Sequence, residues 1–374
     1  MTEVRISPVD ALFANGSYPI EFLFGYKKGF PTKRLRKALR KLAPVFWPPF
    51  GEYKDGLISS VDYREEDYYG EETMSRAVDL EGIREAGLEG VSAYRQKELR
   101  RLFFLKVVRF KDGILLNPKL NHVAGDGFSY FTLLSALASL AKPSWIPFRP
   151  LILKSMFAPH HGRTALGDFV FRPTGGEPLA HDEPLTVACE EIPKHEVQSL
   201  IREAAAADHL RISTNDVLSA MSVRKLMGIG GRDWGEKVRL TIPIDVRRQV
   251  PEYGPRFLGN GIMLHTLELD REQAKTASVK DTAGRIRAAL PSLSREKYAQ
   301  YLVSLEEMMA AGRWSEFRPY DPERGALVTN LSKLPADRLD FGTGGPELIM
   351  PVTAEKNSTA ILSRGESYIL QFAF

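Results

Sequence analysis

His122 stands four residues before Asp126 and five before Gly127, in the run Leu-Asn-His-Val-Ala-Gly-Asp-Gly-Phe-Ser-Tyr over 120–130. An imidazole is neutral at physiological pH and can take a proton from a nucleophile brought beside it, so a His held on a tight loop is a candidate general base. Gly125 and Gly127 flank Asp126 and permit backbone turns that a plain strand-to-helix link does not need. Asp126 sets a charge against an apolar segment, and such a charge requires partners. No covalent nucleophile stands out: the one cysteine, Cys189, lies outside every motif and reads as a small apolar filler. The pair His160-His161 has no Asp, Glu or Cys close in sequence, so it reads as surface or packing and no metal site is expected.

A base in this position needs a strand to deliver it and a helix to hold it. Residues 102–110, dense in β-branched and aromatic side chains, can pair through the Lys111-Asp112-Gly113 turn with 114–120, and that hairpin leads to His122. Residues 128–141 are apolar almost all round, as in a helix buried between layers.

Upstream, 5–27 reads as a loop feeding a short strand near 20–25, and 32–42 as a helix with Leu35, Ala38, Leu39 and Leu42 on one face. The other face carries Lys33, Arg34, Arg36, Lys37, Arg40 and Lys41, which suits either solvent or a landing site for phosphates. Residues 62–72 mix acids with tyrosines and read as surface. Downstream, prolines interrupt 142–184, which reads as a long crossover. Strands follow near 185–191, 237–244, 262–269, 326–331, 347–352, 359–362 and 368–374. Helices are expected at 194–207, 217–227, 278–289 and 295–311, with Ser213 and Asp216 spaced as a capping box before the second.

The fold class is therefore α/β or α+β. At 374 residues two domains are expected, drawn as 1–145, a crossover over 146–184, and 185–374. Charge is balanced, with 51 basic against 47 acidic residues, which argues against a nucleic-acid partner. The N-terminus lacks the apolar core of a signal peptide and no later stretch is long and apolar enough to span a bilayer, so a cytoplasmic protein is expected; a monomer is the default, with no residue pattern that speaks to oligomeric state.

These segments together resemble one family, the BAHD-type coenzyme A-dependent acyltransferases, with relatives among peptide-synthetase condensation domains. His122, Asp126 and Gly127 match its His-x-x-x-Asp-Gly signature, and Ser7-Pro8-Val9-Asp10 is similar to its N-terminal Ser-Pro-x-Asp. In order come the helix-then-Pro-x-x-Gly segment (42–51), Ser-Thr-x-Asp (213–216), Asp-x-Arg (Asp245 and Arg247), and Phe-Leu-Gly-Asn-Gly (257–261). Val328-Thr329-Asn330-Leu331 and Leu339-Asp340-Phe341-Gly342-Thr343-Gly344 complete the series, with Leu331 and Thr343 where the family has Trp and Glu52 where Arg is common.

The resemblance implies two similar chloramphenicol-acetyltransferase-like halves, each a mixed sheet with helices, and a channel between them centred on the His. It implies no permanently bound cofactor and acyl-CoA as co-substrate, with a small-molecule alcohol or amine as acceptor. His122 would be the base and Thr329 the donor opposite the oxyanion. Asp126 would turn away and pair with Arg247 in a structural role. Two alternatives stand beside this: transfer from the arm of an acyl carrier protein docked near Arg36, and a catalytically idle binding homologue. The CoA-binding residues are not assigned by sequence.

Overall fold

The computed structural model describes residues 2–14, 19–86, 101–142, 185–208, 211–229, 234–251, 253–290, 293–311, 320–352 and 355–374. The 146–184 crossover, with His160 and His161, lies outside them. The chain divides into two compact units: Met1–Ala158 with Glu252–Gly261 and Leu334–Thr353, and Pro159–Pro251 with Ile262–Lys333 and Ala354–Phe374. Two short segments that follow residue 185 in sequence thus belong to the first unit.

The first unit opens with β1 (Glu3–Arg5), α1 (Pro8–Ala11), β2 (Ile20–Tyr26), α2 (Thr32–Leu42), β3 (Glu52–Lys54) and β4 (Leu57–Ser59). It continues through α3 (Glu65–Tyr68), β5 (Tyr69–Thr73), α4 (Leu80–Ala86), β6 (Phe103–Arg109), β7 (Ile114–Leu120) and α5 (Gly127–Ala141). The second unit contributes β8 (Val187–Pro193), α6 (Lys194–Asp208), α7 (Thr214–Gly228), β9 (Lys237–Asp245) and β10 (Ile262–Asp270). After α8 (Arg271–Thr276), α9 (Val279–Ala289), α10 (Arg295–Ala310) and β11 (Gly325–Asn330), β12 (Leu348–Pro351) returns to the first unit and β13 (Ser358–Arg364) and β14 (Ser367–Ala373) close the second.

Among the described residues the first unit holds a sheet in the order β12-β2-β7-β6-β5, with only the last pair parallel, and a small sheet β1-β4-β3. Every residue of β7 is buried, because both faces of its sheet are covered. Strand alternation sorts β2 accordingly. Phe22 and Phe24 meet Phe131 of α5 edge-on, at 5.3 and 6.3 Å between ring centroids. Leu23 faces the opposite way, into a cluster with Val108, Leu115, Leu348 and the α4 residues Leu80 and Ile83. That cluster is why 347–352 joins this sheet: the side chain of Leu348 is needed in its core. The Asp-Phe-Gly segment before it is a clip. Phe341 stacks on Phe30 at 5.3 Å, and Tyr26 donates its hydroxyl proton to the Leu339 carbonyl at 2.8 Å. Asp340 accepts from the Gly342 and Gly344 N–H groups and pairs with Lys142 at 2.6 Å, which together hold its carboxyl down to about 2.

The 62–72 stretch is more than surface: β5 extends the sheet beside β6, and Tyr68 is fully buried with its hydroxyl on the Phe50 carbonyl. The second unit carries the order β10-β9-β11-β13-β14-β8, parallel at β9-β11 and β11-β13. Its core packs Val217, Leu218 and Val223 of α7 and Ile286 of α9 with Leu240, Val328, Ile361 and Phe372 of the sheet. Cys189 is exposed on the edge strand β8, which corrects its reading as a small apolar filler.

One charged pair sits in the first sheet's interior. Lys119 and Glu21 face each other in register, with Nζ 2.9 Å from Oε1 and side-chain exposures of 2% and 4%. Removing one member strands the other charge, so Lys119→Met should cost about 3–5 kcal/mol in chemical denaturation. The double variant Glu21→Leu/Lys119→Met should recover most of that loss, and a double variant no more stable than the single would contradict the pair as the cause.

Candidate functional site

The site begins at α1. Ser7 caps it: Ser7 Oγ accepts from the Asp10 N–H at 3.2 Å, Asp10 Oδ2 accepts from the Ser7 N–H at 2.7 Å, and Pro8 fills the first helical position. Just past the helix, the Phe13 ring lies flat on the His122 imidazole, with centroids 3.7 Å apart and planes 12° apart. The strand expected near 20–25 is β2, but the expected loop before it includes α1 and Phe13, which form a wall of the site, and Ser-Pro-x-Asp is a legible cap that would have found them.

His122 opens a single 3-10 turn at the end of β7, and Asn121 caps that turn by accepting from the Val123 N–H at 3.0 Å. The ring is half-buried. Its Nδ1 lies 3.1 Å from Asn260 Oδ1, while Asn260 Nδ2 donates to the His122 carbonyl at 2.8 Å and to Asp10 Oδ1 at 2.7 Å. Burial pushes the His122 pKa down to about 4, with the nearby Asp126 charge and the hydrogen bonds opposing it only in part. The imidazole is therefore neutral at physiological pH. Burial also raises the Asp10 pKa, against the hydrogen bonds from Asn260 and Ser7 that lower it.

Asp126 is a clamp. It is the N-cap of α5, with Oδ1 accepting from the Ser129 N–H and Oδ2 from the Gly261 N–H, both at 3.0 Å. Ser129 Oγ donates to the Gly259 carbonyl at 2.8 Å and accepts from the Gly259 N–H at 3.0 Å. The 257–261 loop is thereby stitched to the start of α5. A Cβ on Gly125 would come within 2.6 Å of Ser129 Cβ, so this close approach needs glycine. Gly259 adopts φ 139° and tolerates no Cβ beside the Phe257 ring. Gly127 is already helical, the first residue of α5, and needs no special backbone freedom.

Of the residues singled out by sequence, His122, Asp126 and Gly127 come together in the first unit, joined there by Asp10, Phe13 and Asn260. Thr329 and Arg247 belong to the second unit. Thr329 is half-buried on β11, opposite Ala360 of β13. The Arg247 side chain is buried with Nη1 3.4 Å from Asp245 Oδ1. The second unit also holds a cavity of about 530 Å³ lined by Lys194, Ser213, Asn215, Arg287, Asn330 and Lys333, among others. Arg287 is committed to the buried Asp216 at 2.5 Å, and the cavity's other cations are Lys333 and Lys194, whose Nζ donates to the Gly365 carbonyl at 2.6 Å. The α2 cations face solvent, with Arg36 and Arg40 tied to Glu65 at 3.3 and 3.4 Å. Among the described residues no group of three His, Cys, Asp or Glu could hold a metal, and no helix is long and apolar enough to cross a membrane.

The Transferase family profile matches residues 88–367. The chain belongs to this family, the BAHD acyltransferases. The BAHD chain is 24% identical over 290 residues to the acyltransferase GLAUCE of Arabidopsis thaliana, an alignment that covers 71% of this chain and 60% of that protein. The chain thus spans about three fifths of the curated relative it matches. Its fold matches TRI101 of F. graminearum, crystallised with coenzyme A and deoxynivalenol, at TM-score 0.80 and 15% identity over 100% of this chain and 95% of that one. Vinorine synthase matches at TM-score 0.69 and 17% identity, over 100% and 90%. These likenesses bear out the mixed α/β fold with two sheet-containing domains.

The depressed His122 pKa makes a stability prediction. Between pH 6.5, its ordinary value, and about 4, the unfolded chain binds a proton that the folded BAHD protein refuses, so stability must fall as pH drops through that window. The loss should reach about 2–3 kcal/mol for a half-buried ring. A His122→Gln variant should show a correspondingly shallower decline in thermal melts between pH 7 and 4, and equal slopes would show that the ring titrates normally.

Proposed function

We propose that this protein transfers an acyl group from acyl-CoA to a hydroxyl or amine of a small-molecule acceptor, with His122 as general base and no covalent acyl-enzyme. The observation that carries the reading is the neutral, half-buried imidazole, stacked on Phe13 and fixed at one nitrogen by Asn260. The other nitrogen, Nε2, takes the acceptor's proton as its oxygen or nitrogen attacks the thioester carbonyl. The tetrahedral intermediate then collapses, the C–S bond breaks, and the imidazolium returns the proton to the departing thiolate. An oxyanion must be stabilised on the way, and Thr329 is our choice of donor. Asp126 is structural: both its oxygens are engaged by backbone N–H groups, so it holds the loop and takes no proton.

Family membership supports acyl transfer, and the relatives crystallised with coenzyme A support acyl-CoA as the donor. The cavity of the second unit offers Lys194 and Lys333 to phosphates, and polar side chains to a pantetheine amide. A second reading draws on the solvent-facing cations of α2, which suit an acidic carrier protein bearing the same acyl thioester.

A thiol-release assay with a panel of acyl-CoAs and alcohol or amine acceptors tests the reading directly. His122→Ala should lose about 10²- to 10⁴-fold in kcat. Full activity in that variant would overturn His122 as the base, and thiol release only with a carrier-bound acyl group would overturn the acyl-CoA assignment. The acid limb of kcat/KM should lie near pH 4 and not near 6.5, because the free enzyme's base is deprotonated well below neutrality. Lys333→Ala should raise KM for acyl-CoA by about two- to fivefold with kcat unchanged, the scale of an exposed ion pair. An unchanged KM would remove Lys333 from the donor site.

A further inference from the structure

Asn260 touches three groups, and those contacts settle which way round its amide lies. Nδ2 has two hydrogens, and two acceptors sit in front of it: the His122 carbonyl at 2.8 Å and Asp10 Oδ1 at 2.7 Å. Turning the amide over would press its oxygen against a carbonyl and a carboxylate. Oδ1 therefore faces His122 Nδ1 at 3.1 Å. An oxygen there accepts, so Nδ1 must carry the ring proton and Nε2 must hold the lone pair.

What makes the arrangement one-sided is Asp10. The His122 carbonyl alone would favour this orientation with one neutral hydrogen bond. Asp10 adds a carboxylate, which accepts from both the side-chain and the backbone N–H of Asn260, at 2.7 and 3.3 Å. It is itself held by the Ser7 N–H at 2.7 Å on its other oxygen. A carboxylate on one side of the amide rejects the flipped form far more strongly than a neutral acceptor would.

We infer that Asp10 is a positioning residue of this site: acting through Asn260, it selects the tautomer in which Nε2 of His122 is the free base. The inference rests on the reading of His122 as that base. Asp10 is too far along the chain of contacts to touch the imidazole proton, since an amide intervenes that neither gains nor loses one. Its effect is on orientation. Burial raises the Asp10 pKa, and the three N–H groups that donate to the carboxylate oppose that rise.

The test is the tautomer itself. With histidine selectively labelled with nitrogen-15, two-bond proton–nitrogen correlation spectra near neutral pH distinguish Nδ1–H from Nε2–H rings. His122 is assigned among the seven histidines by its loss in His122→Gln. The wild-type ring should be wholly Nδ1–H, and an Nε2–H ring would overturn the inference whatever any variant does. Asp10→Asn keeps the side chain's shape but can no longer offer an acceptor to Asn260 and to the Ser7 N–H together. It should give a mixture of tautomers, a fall in kcat of about 10- to 100-fold, and KM values for donor and acceptor within about twofold of wild type.

A folded Asp10→Asn protein with a pure Nδ1–H ring and unchanged kcat would overturn the role of Asp10. A variant that loses stability alone, with its tautomer intact in the folded fraction, would do the same. The spectrum needs no substrate, so it separates the two readings. Wild-type protein with the stated tautomer, its loss in Asp10→Asn, and no thiol release with any donor would support Asp10's orienting role while the acyl-transfer reading fell.

Discussion

The side-chain amide of Asn260 has two hydrogens and one oxygen, and all three are committed within 3.1 Å. This is the constraint around which the first unit's chemistry is arranged. It ties together three stretches that are far apart in sequence: α1, the turn that carries His122, and the loop that follows β9 after residue 251. None of these could hold an imidazole by itself. A single 3-10 turn has too few hydrogen bonds to fix a ring, and α1 is only four residues long. Rigidity comes from mutual dependence, with Phe13 covering the ring's face and Asn260 gripping its edge.

The signature His-x-x-x-Asp-Gly divides its labour across this arrangement. The His supplies a proton site whose charge burial suppresses. Asp126 supplies order: it ends the irregular stretch by capping α5 and anchors Gly261 from the same carboxylate. Ser129, one helical turn on, adds two more bonds to Gly259, so the loop bearing Asn260 is fastened on both sides of it. A carboxylate so engaged, with both oxygens accepting from backbone N–H groups, makes a poor proton carrier and a good strut.

Much of this was legible in the sequence. Period-two and period-3.6 patterns placed β2, α2, β7, α5, α7 and β9 within a residue or a few of where they lie, because each buries a continuous apolar face. His122 was legible from its flanking glycines. What escaped were mostly short elements stabilised by caps and pairings and not by periodicity, among them α1, α3, β5, α4 and the three-residue strands β1 and β4. Asn260 and Asp10 were visible as motif letters but not as partners, because their contact spans 250 positions and no local pattern encodes it. The buried Glu21–Lys119 pair was hidden for the same reason: each sits in a strand that otherwise reads as apolar, and only register brings them face to face. The cavity of the second unit draws its lining from seven separate stretches, and no single one announces it.

The clip formed by Asp340, Phe341 and Leu339 has a consequence for how the protein is made. Strand β12 occupies an edge of the first unit's sheet, and Lys27 and Glu347, bonded across that edge, are 320 residues apart. A ribosome emits Tyr26, Phe30 and Lys142 long before it emits their partners. For most of translation the nascent first unit must therefore expose the flank of β2 and the aromatic pair that Phe341 later covers. Such an unpaired strand edge invites pairing with other chains. Closure of so long a loop is also slow to find by diffusion, since contacts of high sequence separation are the last to repay their entropy. Production of this protein is thus expected to respond to translation rate and to chaperones more than its mature stability alone would suggest.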